Sequence, residues 1–303
     1  MSRNRGRGFV RTASVTVVIL LAGSAVGGIR LAGRSSDHAP GSAASVSSVS
    51  AAGATPVPAT TSEEPTVDLD AALASAVDPL LADTGDVRVS VAVLDTGNGA
   101  RAVYGDESYD TASIVKVDIL AALLLRAQDE ERALTTGERD SATAMIERSD
   151  NASATTLLQA VGGAQALDAA NERLGLTGTT AADAWGLTRT TATDQLTLLE
   201  AVFGTESELN EDSRTYLRGL MGQVEADQQW GVSAAGSGWA LKNGWMPRTA
   251  TGLWDINSIG QVRADGRTYL VAVLSGGQPT KETGIALVES VAKAAVGVLD
   301  ATR

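Results

Sequence analysis

The sequence contains no cysteine and only one histidine, and both scarcities restrict its chemistry. Without cysteine the chain has no disulfide, no thiolate nucleophile and no thiolate metal ligand. The single histidine, His38, lies in a stretch rich in Ser, Ala and Pro. A Ser-His-Asp triad and a multi-histidine zinc site are therefore excluded from the folded part. We predict no metal and no cofactor, and an activated serine would need a lysine or a carboxylate as its base.

Lysine is also scarce, since the chain has 24 basic residues and only four of them are lysines. They are Lys116, Lys242, Lys281 and Lys293. In a chain that prefers arginine, a lysine indicates a position where a titratable amine matters. Chance codon usage remains the alternative for Lys281 and Lys293.

The charge is uneven along the chain. The net charge is -12, yet residues 1–34 contain arginines and no acidic residue. The rest of the chain is therefore strongly acidic, which excludes nucleic acid as a partner of the folded part. After the arginines, residues 13–29 are apolar and uncharged. We predict that residues 1–33 are a signal peptide or an N-terminal membrane anchor, so that the remainder is exported and is either membrane-anchored or secreted.

Residues 34–66 are rich in Ser, Ala, Pro and Thr and have little to bury, which predicts a disordered linker. From residue 67 onward, periodicity predicts a folded domain that extends to residue 303. The predicted helices and strands, in order, are helix Leu69–Leu81, strands Val87–Leu94 and Ala100–Tyr104, a mostly helical block, strands Gly238–Trp245, Leu253–Arg263 and Thr268–Ser275, and helix Lys281–Leu299. This order favours an α+β fold of three layers, in which helices flank one antiparallel five-stranded sheet and an all-α insert covers about residues 118–236.

Ser113 and Lys116 are three residues apart at the start of an almost wholly apolar run. We predict a buried helix there, capped by Asp110 or Thr111, with both side chains on one face. A lysine activates a serine only if its pKa falls towards neutrality, and burial or a second cation lowers it. Amide N–H groups at the helix start can stabilise an oxyanion.

Two other stretches can contribute to the same site. The first is Ser149-Asp-Asn151, which lies between two predicted helices. Its hydroxyl can relay a proton and its amide can bind a carbonyl, although Asp150 can equally be a plain helix cap. The second is Lys242-Asn-Gly244, which provides a cation and a glycine on a predicted strand. An exposed lysine before a turn is the alternative.

These three stretches give the chain its resemblance to a known family. It is similar to the class A β-lactamase-like proteins of the serine β-lactamase and penicillin-binding superfamily, which carry Ser-x-x-Lys, Ser-Asp-Asn and Lys-Thr-Gly in that order. The likeness covers about residues 67–303. It also includes the segments Val89–Gly97, Met145–Arg148 and Thr190–Asp194.

The resemblance implies a serine hydrolase that acts through an acyl-enzyme. It implies that Ser113 is acylated, that Lys116 is its base or proton relay and that Ser149 passes a proton to the leaving nitrogen. It further implies that Lys242 supplies positive potential for a substrate carboxylate and lowers the pKa of Lys116. Substrate-binding positions follow from the same motifs and are Asn151, Asn243, Gly244 and Trp245. The substrate would be a β-lactam or a peptidoglycan-like peptide, bound by a monomer.

Two departures from the family pattern affect what we expect. Asn243 replaces the hydroxyl residue that would bind a substrate carboxylate. The deacylating glutamate is missing, since Asp183 is the only acid between residues 175 and 193. We therefore predict acylation with weak turnover, with Asp183 as a possible substitute base. The alternatives are a non-catalytic cell-wall or β-lactam sensor and a small DD-peptidase or esterase.

Overall fold

The computed structural model describes residues 67–301. The predictions for residues 1–33 and 34–66 lie outside this range. Within it, no helix is both long and apolar enough to cross a membrane. The helices are α1 Leu69–Leu81, α2 Val115–Asp129, α3 Thr136–Glu147, α4 Asn151–Val161, α5 Ala164–Arg173, α6 Ala192–Phe203, α7 Glu211–Met221 and α8 Lys281–Ala301. The strands are β1 Arg88–Asp95, β2 Arg101–Tyr104, β3 Tyr109–Asp110, β4 Arg189–Thr190, β5 Ser237–Pro247, β6 Trp254–Ala264 and β7 Arg267–Gln278.

Five strands form one antiparallel sheet in the order β2-β1-β7-β6-β5. This confirms the predicted sheet. The first and last strand groups of the chain meet where β1 pairs with β7. Strand β5 lies at the edge, with β6 as its partner in the sheet. An edge strand has backbone groups that can pair with an extended ligand.

The two faces of the sheet pack against different helices, which confirms three layers. Alternate residues of β1 contribute to opposite faces, so Val91 packs with α1 and α8 while Ala92 packs with the helical block. In the same way Val271 and Ala272 of β7 belong to separate cores. Because successive side chains point to opposite faces and helices cover both faces, the apolar side chains on both faces of these strands are buried.

The segment that carries Ser113 differs from the prediction. Ser113 lies in a 3₁₀ turn, Ala112–Ile114, and α2 begins only after it, at Val115. Neither the turn nor α2 has a side-chain cap, so the predicted capping by Asp110 or Thr111 is wrong. Ala112, the first residue of this turn, has a positive φ of 48°, outside the region of right-handed helices. Helix α2 itself is buried on nearly all sides, as predicted.

A second, two-stranded sheet was not predicted. It pairs β3 with β4, and Thr111 N continues the contact by donating to Thr188 O at 2.8 Å. Next to it, the Asn257 amide on β6 donates to Asp110 O at 2.9 Å and to Thr111 O at 3.1 Å. Asn257 is fully buried. The chain just before Ser113 is therefore held by both sheets.

Candidate active site

Lys116 is the centre of a hydrogen-bonded cluster that includes Ser113. Its Nζ lies 2.9 Å from Ser113 Oγ, 3.0 Å from Ser149 Oγ, 2.6 Å from Ser149 O and 2.9 Å from Asn151 Oδ1. The pair Ser113–Lys116 meets because the 3₁₀ turn and the first turn of α2 place both residues on one side. Asp150 caps α4 by accepting from Ser153 N at 2.7 Å, which leaves its neighbours Ser149 and Asn151 to face Lys116.

Ser149 adopts a conformation that is unusual for a residue other than glycine. Its φ is 56°, in the left-handed region, where a Cβ is disfavoured. The two hydrogen bonds from Lys116 hold both its carbonyl and its hydroxyl. Such strain persists only where surrounding contacts compensate for it.

Lys242 approaches the cluster from the other side. Its Nζ lies 3.1 Å from Ser149 Oγ and 2.9 Å from Asn243 O, with Gln228 Oε1 at 3.5 Å. The Ser149 hydroxyl therefore lies between two amines. This geometry allows a proton to pass from either lysine through Ser149 to a leaving group.

Burial changes the acidity of both amines. It lowers the pKa of Lys116 to about 8, although the nearby Asp150 acts in the opposite direction. The pKa of Lys242 falls well below its usual value because the side chain is buried and because Lys116 is close. A lysine with a pKa near 8 is partly neutral at neutral pH and can accept the Ser113 proton.

Gly244 allows β5 to approach the serine closely. A Cβ at this position would lie 2.7 Å from Thr111 O and 2.8 Å from Ser113 N, closer than side chains pack. The next residue, Trp245, borders the same cavity as Ser113. The backbone of Ser113 and that of Trp245 therefore border one cavity.

We expect Gly244→Ala to lower the rate of Ser113 acylation by about 10²-fold, because the added methyl displaces the serine backbone and misplacement by about 1 Å has that cost. The measurement is labelling by a fluorescent penicillin over time. Gly219→Ala is the matched control, since a Cβ there meets nothing within 4 Å. Equal labelling rates for the two variants would contradict this role of Gly244.

Asn243 and Trp245 point away from the cluster. Side chains alternate along β5, so these two lie on the opposite face from Lys242. The Asn243 amide is 1% exposed and donates to Gln228 O at 2.8 Å and to Trp230 O at 3.0 Å. The Trp245 ring contacts Trp230 and the ammonium of Lys281. Asn243 is therefore not in position to contact a substrate at Ser113, whereas Trp245 lines the Ser113 cavity.

A cavity of about 540 Å³ opens beside Ser113. Asn151 and the exposed Asp183 line it, as does the backbone around Gly186. No glutamate is among its lining residues within the described range.

Trp185 is the site residue that sequence reasoning missed. Its ring centroid lies 4.8 Å from Lys116 Nζ, and its Nε1 donates to Thr155 Oγ1 at 3.2 Å. Thr111 Oγ1 donates to its carbonyl at 3.4 Å. A tryptophan before a glycine in the loop that precedes β4 was the available signal. Gln228 and Asn257 left no such signal, because their roles depend on contacts distant in sequence.

Comparison with known proteins gives one matching family and several similar folds. A model of the "Beta-lactamase enzyme family" matches residues 72–138 and 137–299. A class A β-lactamase from Bacteroides cellulosilyticus DSM 14838 has a similar structure, with 18% identity, a TM-score of 0.67, and coverage of 78% of this chain and 100% of that one. A β-lactamase from Burkholderia phymatum gives 20% identity and a TM-score of 0.64, covering 77% and 100%.

A third similar structure is the L158E mutant of PBP-A in an acyl-enzyme complex with penicillin G. Its identity is 21% and its TM-score is 0.65, with coverage of 76% of this chain and 96% of that one. At these identities the structures show a shared fold. The curated proteins contain no match to this sequence.

Proposed function

Because the chain belongs to the β-lactamase enzyme family, we propose that it is a serine hydrolase whose Ser113 is acylated by β-lactams or related amides and is released slowly. The observation that carries the proposal is the contact of 2.9 Å between Lys116 Nζ and Ser113 Oγ, in a place where burial lowers the pKa of the amine to about 8. Loss of the Lys116 amine would leave Ser113 without a base.

Acylation follows from the positions of four side chains. Neutral Lys116 takes the Ser113 proton as Oγ attacks the carbonyl carbon, and the oxyanion is bound by the amides of Ser113 and Trp245. When the carbon–nitrogen bond breaks, the nitrogen receives the Ser149 proton, which Lys116 replaces. Lys242 on the far side of Ser149 holds its hydroxyl in line.

Slow release of the acyl group from Ser113 is supported by the groups near Lys116 and in the cavity. Hydrolysis of an acyl-enzyme needs a base for the attacking water. Asp183 is the one carboxylate among the described lining residues, and it is exposed on the loop. The Trp185 ring covers one side of the Lys116 ammonium, so a water on that side meets an aromatic face instead of a base.

The test is acylation followed by release. A fluorescent penicillin should label the wild type and Ser75→Ala, whose serine is exposed on α1, but not Ser113→Ala. Intact-protein mass spectra should show the adduct persisting after free penicillin is removed. Absence of any Ser113 adduct would overturn the proposal, whereas rapid nitrocefin turnover would overturn slow release alone. If Asp183 is the substitute base, Asp183→Ala will prolong the adduct.

The proposal also includes a location and a substrate class. The arginine-rich start and apolar run of residues 1–33 support export, with the domain anchored to the membrane or secreted. There a monomer would meet β-lactams or peptidoglycan-like peptides. A long-lived acyl-enzyme also suits a β-lactam sensor. The mass spectra distinguish a sensor from a slow hydrolase, because the acylated sensor would never return to the mass of the unmodified protein.

A further inference from the structure

The wall of the Ser113 cavity has no positive charge. Twelve described residues line it, and none is a lysine or an arginine. The only charged side chain among them is the exposed carboxylate of Asp183. The charge on the wall itself is therefore negative, and the amine nearest to it is that of Lys116, 2.9 Å from Ser113 Oγ and partly neutral because burial lowers its pKa to about 8.

The position next to the leaving atom is equally poor in anion-binding groups. Ser149 Oγ, which protonates the leaving nitrogen in the proposed acylation, lies 3.1 Å from Lys242 Nζ of β5, so a substituent beside that nitrogen would lie near β5. The polar side chains of β5 there are Lys242 and Asn243. The Asn243 amide donates its hydrogens to two backbone carbonyls in the interior. Lys242 has no exposed surface, its Nζ donates to protein acceptors, and burial lowers its pKa.

The cation at the end of β5 is also occupied. Arg248 follows the last residue of that strand and forms ion pairs with Asp110 and with Asp255, the latter at 2.5 Å. Asp110 also pairs with Arg189 at 3.3 Å, so two guanidiniums and two carboxylates form one network without net positive charge to attract a further anion. These ion pairs brace the chain before Ser113 instead.

Apolar groups occupy much of the remaining wall. Trp185, Leu187, Met246 and Pro247 line the cavity together. Leu187 is 44% exposed, and only one other large hydrophobic residue in the described range is exposed. An exposed leucine at the rim of a cavity is typical of a surface that binds an apolar group.

We infer that the site does not select for a carboxylate beside the leaving atom, and that it takes neutral amides or esters with an apolar side chain at least as readily as their carboxylate-bearing analogues. The inference rests on the proposed acylation of Ser113. The bond from Oγ to the carbonyl carbon forms, the bond to nitrogen or oxygen breaks, and the leaving atom takes the Ser149 proton. Nothing in this step needs a charge on the substrate.

Benzylpenicillin and its methyl ester form the test pair. Each is incubated with the full chain, the Ser113 adduct is followed by intact-protein mass spectrometry, and each rate is divided by that compound's hydroxide-catalysed hydrolysis rate. We expect the ester to react at least as fast as the free acid. A faster reaction of the free acid, by about tenfold for one charge-assisted hydrogen bond to the carboxylate, would overturn the inference.

A charge reversal on the wall provides a second readout. Asp183→Lys should speed the free acid relative to the ester by about two- to fivefold, the effect expected of an exposed charge. Asp140→Lys, exposed on α3, should leave the ratio unchanged. An unchanged ratio in Asp183→Lys would contradict the role given to the wall charge. If neither compound forms a Ser113 adduct, the proposed function fails and this inference fails with it.

Discussion

Replacing Lys116 with methionine is expected to lower the rate of Ser113 acylation by about 10²–10⁴-fold, the usual contribution of a positioned base. Methionine keeps the unbranched apolar stem but has no amine to take the Ser113 proton. The measurement is the second-order rate of labelling by a fluorescent penicillin. Lys293→Met is the matched control, because Lys293 is exposed on α8 and is not among the residues that line the cavity.

The pH dependence of the same rate separates a base from a structural residue. Only the neutral amine accepts a proton, so the wild-type rate should rise about tenfold per pH unit below the pKa of Lys116, about 8, and level off above it. The methionine variant should lose this rise. A methionine variant that keeps both the rate and the profile would show that Lys116 is not the base.

The second large effect concerns Asp118, a carboxyl buried in α2 without exposed surface. Burial raises its pKa to about 8, and the negative charge of Asp194 adds to the shift while the Gln195 amide opposes it. In the unfolded chain the pKa is about 4. Between these values the folded state holds a proton that the unfolded state has lost, so stability falls as pH rises from about 4 to about 8.

Asp118→Asn should remove this loss, because an amide keeps the shape of the protonated carboxyl and does not titrate. We expect the variant to gain stability over the wild type by up to about 1.4 kcal/mol per pH unit across that window, reaching several kcal/mol at pH 8. Urea unfolding at pH 5, 6.5 and 8 measures it. Asp140→Asn on the surface is the control, and a gain that does not depend on pH would exclude linkage to Asp118.

Much of the fold could be predicted because its elements are strongly periodic. The valine alternation from Val87 to Val93 predicts a strand, and β1 lies within one residue of the prediction, although helices bury both of its faces. The motif residues Ser113, Lys116, Ser149 and Lys242 were placed together by the order of elements, and they meet in the structure.

The parts that could not be predicted depend on contacts between distant segments. The strand pair β3–β4 has two residues on each side, too few for a period. The 3₁₀ turn at Ser113 begins at Ala112, whose positive φ cannot be recognised from an alanine in the sequence. The inward orientation of Asn243 depends on carbonyls of the segment that ends at Trp230. Side-chain alternation along β5 did not by itself show which face of the strand borders the substrate cavity.

The left-handed turn at Ser149 has a consequence for how such a protein can change. Lys116 has two roles. Its amine lies beside Ser113, and it stabilises the turn through hydrogen bonds to the Ser149 carbonyl and hydroxyl. A substitution of Lys116 that abolishes reactivity also removes the hydrogen bonds that stabilise the turn at Ser149. A descendant of this chain that no longer reacts would therefore gain little by losing the lysine. A lysine retained at this position in a relative would thus indicate a structural requirement as much as a catalytic one.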